Sequence, residues 1–265
     1  MLRQRIITAV ILAPLVLAGL FGLSGGAFAV FTAAVILLAG WEWTNLAGVA
    51  GVAGRLGYVA LLALLMLAGW YSDAVNAAWP LWVACAGWLV SVYWVAGYPD
   101  RGRQWRSVTA RLTIGLWVLL PCWAGFVQLR DSGAQWLLYV LLLVWLADIG
   151  AYFAGRRFGR RKLAPRVSPG KSWEGVYGGM AVTALLALGY TLGFSLSPGD
   201  GLWLVVTTVG VTLVSVLGDL LESMFKRWRG IKDSGRLLPG HGGILDRIDS
   251  LTAAVPLFAL LRLWH

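Results

Sequence analysis

Five carboxylates stand where an apolar chain should carry none. Asp148 follows the unbroken apolar run from Trp136 to Ala147, Asp219 and Glu222 close another such run at spacing i, i+3, and Asp246 and Asp249 repeat that spacing at the entrance to a third. Residues three apart share a helix face, so each pair points one way. An Asp or Glu at the centre of a membrane helix costs about 2.5 to 3.5 kcal/mol and is a functional suspect by default. Near helix C-termini, where Asp148, Asp219 and Glu222 are expected, carboxylates also oppose the helix dipole, whereas Asp246 and Asp249 at an N-terminus are favourably placed. Loop lysines and arginines could compensate them, which is the bland account; a divalent ion is the alternative. Oxygen ligands without Cys or His favour Mg²⁺ or Mn²⁺ over zinc, and Mg²⁺ takes one or two carboxylates while leaving positions for substrate phosphates.

Two basic loops adjoin these acids. The first carries Arg156, Arg157, Arg160, Arg161, Lys162, Arg166 and Lys171, and ends in Ser168-Pro-Gly-Lys171-Ser172-Trp-Glu174-Gly175. Gly170-Lys171-Ser172 invites comparison with a P-loop, but the glycine required five positions earlier is Pro165 and no β-strand is expected before it, so that reading is rejected. What remains is a basic segment entering a helix at Trp173, where free backbone N–H groups favour an anion. The second loop, within Ser223 to Asp249, carries Lys226, Arg227, Lys232, Asp233, Arg236 and Arg247, with glycines at 240, 242 and 243. Paired bases neutralise phosphates, and glycines let main-chain amides approach them closely. A Gly-rich turn between two carboxylate-bearing helices fits a metal–nucleotide site. Its His241 is either an imidazole satisfied by a carbonyl or a direct participant in chemistry.

The elements that must position these groups are membrane helices. At 265 residues, 59% hydrophobic and 13% charged, the composition is not that of a soluble protein. Apolar runs fall at 6–23, 27–47, 56–72, 77–98, 112–129, 133–155, 173–196, 202–222 and 250–264, the second containing Glu42 near one end. With about 20 apolar residues per span, nine runs leave roughly 85 residues for every loop and terminus, which excludes a sizeable soluble domain. The expected fold is an all-α polytopic integral membrane protein of about nine transmembrane helices. Residues 1–130 would supply about five N-terminal spans, and 131–265 a C-terminal catalytic region. Cys85 and Cys122 lie inside apolar runs with neither disulfide nor metal spacing.

Lysine and arginine positions set the orientation, because positive loops stay on the cytoplasmic side. With a cytoplasmic N-terminus, Arg3, Arg5 and all but two of the 22 Lys and Arg fall inside; Arg130 and Arg262 are the exceptions. Topology thus accounts for much of the net charge of +10, and most of the inner charge sits in the two loops beside the acids. Ala27-Phe28-Ala29 could be a signal-peptide cleavage site, but an apolar run of about 18 residues is long for that role, so a retained first helix is expected.

The run from Ser223 to Asp249 resembles the signature of phosphatidate cytidylyltransferases (CDP-diacylglycerol synthases). Ser223, Lys226-Arg227, Lys232-Asp233 and Pro239-x-His241-Gly242-Gly243-x-x-Asp246-Arg247-x-Asp249 fill its fixed positions. Asp148 with Ala151-Tyr152 and the block from Ser168 to Gly175 resemble the family's other recurrent segments. Gly170 departs from it, since many members carry a basic residue there, which removes some charge from the nucleotide site. The likeness is specific over 145–250 and only hydropathic before that. It implies transfer of CMP from CTP to phosphatidate at the cytoplasmic face, giving CDP-diacylglycerol and pyrophosphate for phospholipid synthesis. It also implies Mg²⁺ or Mn²⁺, with or without a second cation.

Under that resemblance Asp219 and Asp246 are the leading metal ligands, followed by Asp249 and Asp148. Lys171, Lys226, Arg227 and Lys232 would hold the triphosphate and lipid phosphate, and Gly242 and Gly243 would cradle phosphate. Ser168, Ser172, Glu174 and Asp233 would complete the nucleotide site, with His241 among the catalytic candidates. Expected partners are CTP, phosphatidate and the lipid bilayer, with no nucleic acid; a homodimer and a bacterial inner membrane are the expected assembly and location. The competing readings are a CTP-dependent polyprenol or phytol kinase and a membrane transporter. A transporter usually holds its acids near the midplane within repeats, and no repeat is apparent here.

Overall fold

A computed structural model describes residues 2–265, with side chains described at Thr8 and from Val10 onward; the side chains of Arg3 and Arg5 lie outside the described residues. The chain forms α1 (Leu2–Gly22), α2 (Gly25–Ala47), α3 (Val52–Tyr71), α4 (Trp79–Ala96), α5 (Val108–Ser132) and α6 (Ala134–Phe158). A hairpin of β1 (Lys162–Ala164) and β2 (Ser168–Ser172) follows, then α7 (Trp173–Gly193), α8 (Pro198–Arg229) and α9 (Leu245–Arg262). Among the described residues seven helices, α2 to α8, are long and apolar enough to cross a membrane. Their outward faces carry large apolar side chains, among them Leu64, Leu89, Leu185 and Leu192, as lipid contact requires. The molecule is an integral membrane helical bundle.

Helix α9 does not reach that apolar threshold, and its place explains why. It is the central helix, packed against α8, α5 and α4 and also touching α6 and α2, with residues 250–256 all buried. A helix shielded from lipid does not need an apolar surface all round, so Asp246, Arg247 and Asp249 are tolerated in its first turns. Around it, α6 and α7 pack most intimately, through small residues at four-residue spacing: Ala147, Ala151 and Gly155 on one, Gly175 and Gly179 on the other. Hydroxyl pairs tie both helices to α8, Tyr139 to Thr208 at 2.6 Å and Thr183 to Thr212 at 2.9 Å.

Three expectations need correction. First, α8 does not end at Glu222. It continues to Arg229, because Met224 and Phe225 are fully buried while Arg227 and Arg229 turn outward, and it stops at Gly230 in the left-handed region. At 1.5 Å per residue it is about 48 Å long, well beyond a hydrocarbon core of about 30 Å. Second, Asp148, Asp219 and Glu222 are thus two to three turns inside their helices, and the dipole penalty, confined to the last turn, does not apply to them. Third, the first basic loop is not wholly irregular. Lys162 pairs with Ser172 and Ala164 with Ser168 in an antiparallel hairpin, so a small sheet interrupts the all-α fold. A strand does occur before α7, but Gly170, Lys171 and Ser172 lie within it rather than in a loop after it.

Candidate active site

One face of α8 presents Asp219, Glu222, Ser223 and Lys226, spaced i, i+3, i+4 and i+7. The Ser223 hydroxyl donates to Asp219 Oδ1 at 3.0 Å. The Lys226 ammonium bridges Glu222 Oε2 and Asp246 Oδ1, each at 2.8 Å, and so joins α8 to the start of α9. The two helices meet closely here: a Cβ on Gly218 would lie 2.5 Å from the Asp249 carbonyl oxygen, so only glycine permits the approach. The hairpin brings in the other lysine, Lys171 on β2, which pairs with Asp219 Oδ2 at 2.7 Å. Asp148 lies within electrostatic range of Lys171, Asp219 and Arg247. Acids from three helices and lysines from two elements therefore alternate in one continuous cluster.

Asp246 is the most heavily engaged of these acids. Besides Lys226 it accepts from the Ser234 N–H at 3.0 Å, the Ser234 hydroxyl at 2.9 Å and the Gly243 N–H at 2.7 Å. It holds the turn between α8 and α9 in shape, and the Gly243 amide is spent on it. Gly242 has φ +85, and its carbonyl accepts from the Leu238 N–H. On the outer side of the turn, Lys232, Asp233, Arg236, His241 and Arg247 line a polar cleft of about 680 Å³. His241 Nδ1 is buried without a partner. A smaller cavity of about 200 Å³, between α6, α7 and α8, is lined by Asp148, Tyr152, Lys171 and Ser172.

Several residues of the first loop organise backbone. Ser172 caps α7 by accepting from the Gly175 N–H at 3.2 Å. Glu174 accepts from the Arg160 and Arg161 N–H groups at 3.1 and 3.2 Å and pairs with the Arg161 side chain at 3.2 Å. The hydrogen bond that Arg161 donates to Glu174 raises its guanidinium above the ordinary range. Arg227 donates to the Val167 carbonyl at 3.1 Å, fastening the hairpin to α8. Ser168 sits half-buried opposite Ala164 in the hairpin.

Sequence reasoning passed over Glu42, which lies at this site. Its Oε2 accepts from the Leu245 N–H at 2.8 Å and lies 3.3 Å from the Ser234 hydroxyl, across 192 positions of sequence. The signal was available: Glu42 sits between two tryptophans in an apolar run, where the cost of a buried acid applies as it does to Asp148.

Among the described residues no three His, Cys, Asp or Glu groups converge as a ready-made metal cage. Two features nonetheless suit a divalent ion shared with a ligand. Glu222 Oε1 is buried and makes no hydrogen bond, and Asp249 lies in electrostatic range of both Glu222 and Asp219. An all-oxygen set with few carboxylates is what Mg²⁺ accepts when phosphates complete its shell.

Fold and site together define a polytopic helical membrane protein whose acids and lysines converge at one end of the bundle. The chain belongs to the cytidylyltransferase family, whose model matches residues 3–264. It is 50% identical to the phosphatidate cytidylyltransferase of Pseudomonas aeruginosa, over 100% of this chain and 97% of that protein. It is 42% identical to the enzyme of that name from Haemophilus influenzae, over 98% of each chain. The Brucella suis enzyme of that name is 38% identical, over 98% of this chain and 92% of that protein.

Proposed function

We propose that the protein is a phosphatidate cytidylyltransferase, transferring CMP from CTP to phosphatidate in the membrane and releasing pyrophosphate. The observation that carries the reading is the lysine-bridged acid cluster of α8 and α9, beside a basic cleft, in a chain matched end to end by relatives of that name.

In the reaction a phosphate oxygen of phosphatidate attacks the α-phosphorus of CTP. The new O–P bond forms as the bond from that phosphorus to the bridging oxygen of the β-phosphate breaks, and pyrophosphate leaves with the electron pair. Phosphatidate is already an anion, so no strong base is needed. The obstacle is repulsion between two phosphate groups, and the remedy is fixed positive charge. Lys171 and Lys226 supply it at the cluster, the first anchored by one carboxylate and the second by two, so that each keeps at least one N–H to donate. Lys232, Arg236, His241 and Arg247 offer donors along the cleft, where a triphosphate fits. Asp219 and Asp249, with Glu222 behind them, would hold the divalent ion, which would supply further positive charge against the phosphates. Asp148 balances the charge of Lys171 and Arg247. Asp246 contributes by fixing Lys226 and the turn.

We place the site on the cytoplasmic side of a bacterial inner membrane, where a soluble nucleotide and a bilayer lipid meet. The test is purified protein in detergent with phosphatidate and CTP labelled at the α-phosphorus. Label is expected in the lipid, with one pyrophosphate released per lipid modified. Label entering the lipid only when the CTP is instead labelled at the γ-phosphorus would identify a lipid kinase.

A further inference from the structure

We propose that Glu42, on α2, is a positioning residue for the nucleotide cleft, acting through Ser234 and the start of α9. The inference rests on the cytidylyltransferase reading for its kinetic arm only. Glu42 is 4% exposed and belongs to the N-terminal region, far in sequence from every signature residue. Its carboxylate nevertheless takes the Leu245 N–H, one of the amides in the first turn of α9 that have no partner within their own helix. The Ser234 hydroxyl lies between two acids, 3.3 Å from Glu42 Oε2 and 2.9 Å from Asp246 Oδ2. A second grip comes from one helical turn further on, where Asn45 Nδ2 donates to the Ser234 carbonyl at 3.0 Å. Arg229 at the end of α8 donates to the Asn45 carbonyl at 2.9 Å, so α2 is tied to both ends of the turn.

The turn is built to receive this carboxylate. A Cβ on Gly235 or on Gly243 would run into Glu42, so both positions leave room for it. The residues so clamped line the cleft or adjoin its lining: Gly235 lines it beside Arg236, and Gly243 follows Gly242, which lines it with His241. Ser234 meanwhile holds Asp246, which holds Lys226. A buried acid in an otherwise apolar helix is costly, and packing alone would be served better by leucine. Setting the distance between the cleft and the Lys226 ammonium gives the acid a use.

The experiment compares Glu42→Leu, which keeps the helix apolar and the space filled, with Glu42→Gln, which keeps an acceptor oxygen for Leu245. Ser234→Ala and the Glu42→Leu/Ser234→Ala double variant complete the set. Backbone hydrogen exchange over residues 233–245 is measured in detergent, together with KM for CTP and kcat. Glu42→Leu is expected to speed exchange in that segment and raise KM for CTP about tenfold, as loss of a charge-assisted hydrogen bond would, with a smaller fall in kcat. Glu42→Gln should stay within about threefold of the unaltered protein, and the double variant should be no worse than the poorer single one. If Glu42→Leu does not accumulate, Ser234→Ala, which leaves α2 untouched, is expected to raise the same KM. Unchanged exchange and KM in Glu42→Leu, or additive effects in the double variant, would overturn the proposal. If the unaltered protein makes no CDP-lipid, the catalytic reading fails, while the exchange arm still decides whether Glu42 holds the turn.

Discussion

Replacing Lys226 by methionine removes the cation that joins α8 to α9. Its ammonium lies 2.8 Å from both Glu222 and Asp246, and the three side chains are 13%, 2% and 5% exposed. At an effective dielectric constant of about 20, each contact is worth about 6 kcal/mol of gross attraction, most of it offset by the cost of desolvating the ions. What the variant loses is the penalty for leaving two buried carboxylates without a counter-ion, about 3 to 5 kcal/mol. At roughly 2 to 4 °C per kcal/mol, the unfolding midpoint should fall by roughly 6 to 20 °C. Intrinsic fluorescence of the 16 tryptophans in detergent follows the transition. Lys226→Met/Glu222→Gln should recover at least half of the lost stability, because it removes one orphaned charge, yet it should not recover CDP-lipid synthesis. A midpoint within about 2 °C of the unaltered protein, or a double variant less stable than Lys226→Met, would refute the claim that this lysine compensates buried acids.

Asp219→Asn should reduce CDP-lipid synthesis at least about a hundredfold while expression stays intact, as measured by label transfer on matched amounts of purified protein; full activity would remove Asp219 from the site. Chelation of divalent ions should abolish turnover, and Mg²⁺ or Mn²⁺ should restore it. Gly218→Ala sets a methyl group against the Asp249 carbonyl and should cost about 1 to 3 kcal/mol, read as a lowered unfolding midpoint.

Much of the bundle was legible because membrane burial writes itself as long apolar runs; the runs fall on helices, of which seven among the described residues are long and apolar enough to cross a membrane. The runs do not mark helix ends. Residues 223–229 and 156–158 leave the apolar core as charged helix, and a hydropathy reading treats them as loop although Met224 and Phe225 are core residues. The hairpin was missed because Pro169 and Gly170 look like loop residues and its two strands are only three and five residues long. At the site, spacing indicated which acids share a face, but not whom they face. Nothing in the order of residues indicates that Asp246 spends its oxygens on Ser234 and Gly243, or that Glu42 meets Leu245, because those contacts exist only once α2 and α9 lie side by side.

The length of α8 gives the site an uneven sensitivity to its surroundings. Asp219, Glu222 and Lys226 ride on one rigid rod, so the Glu222–Lys226 contact is unchanged however that rod leans. Lys171 and Asp246 belong to other elements, β2 and α9, so their ion pairs to the rod depend on how those elements sit against it. The apolar part of α8, residues 202–222, spans about 31 Å, close to the thickness of a hydrocarbon core, and the remaining turns carry Lys226 beyond it. The two ion pairs that join α8 to its neighbours are thus the ones that any shift of the rod would strain first.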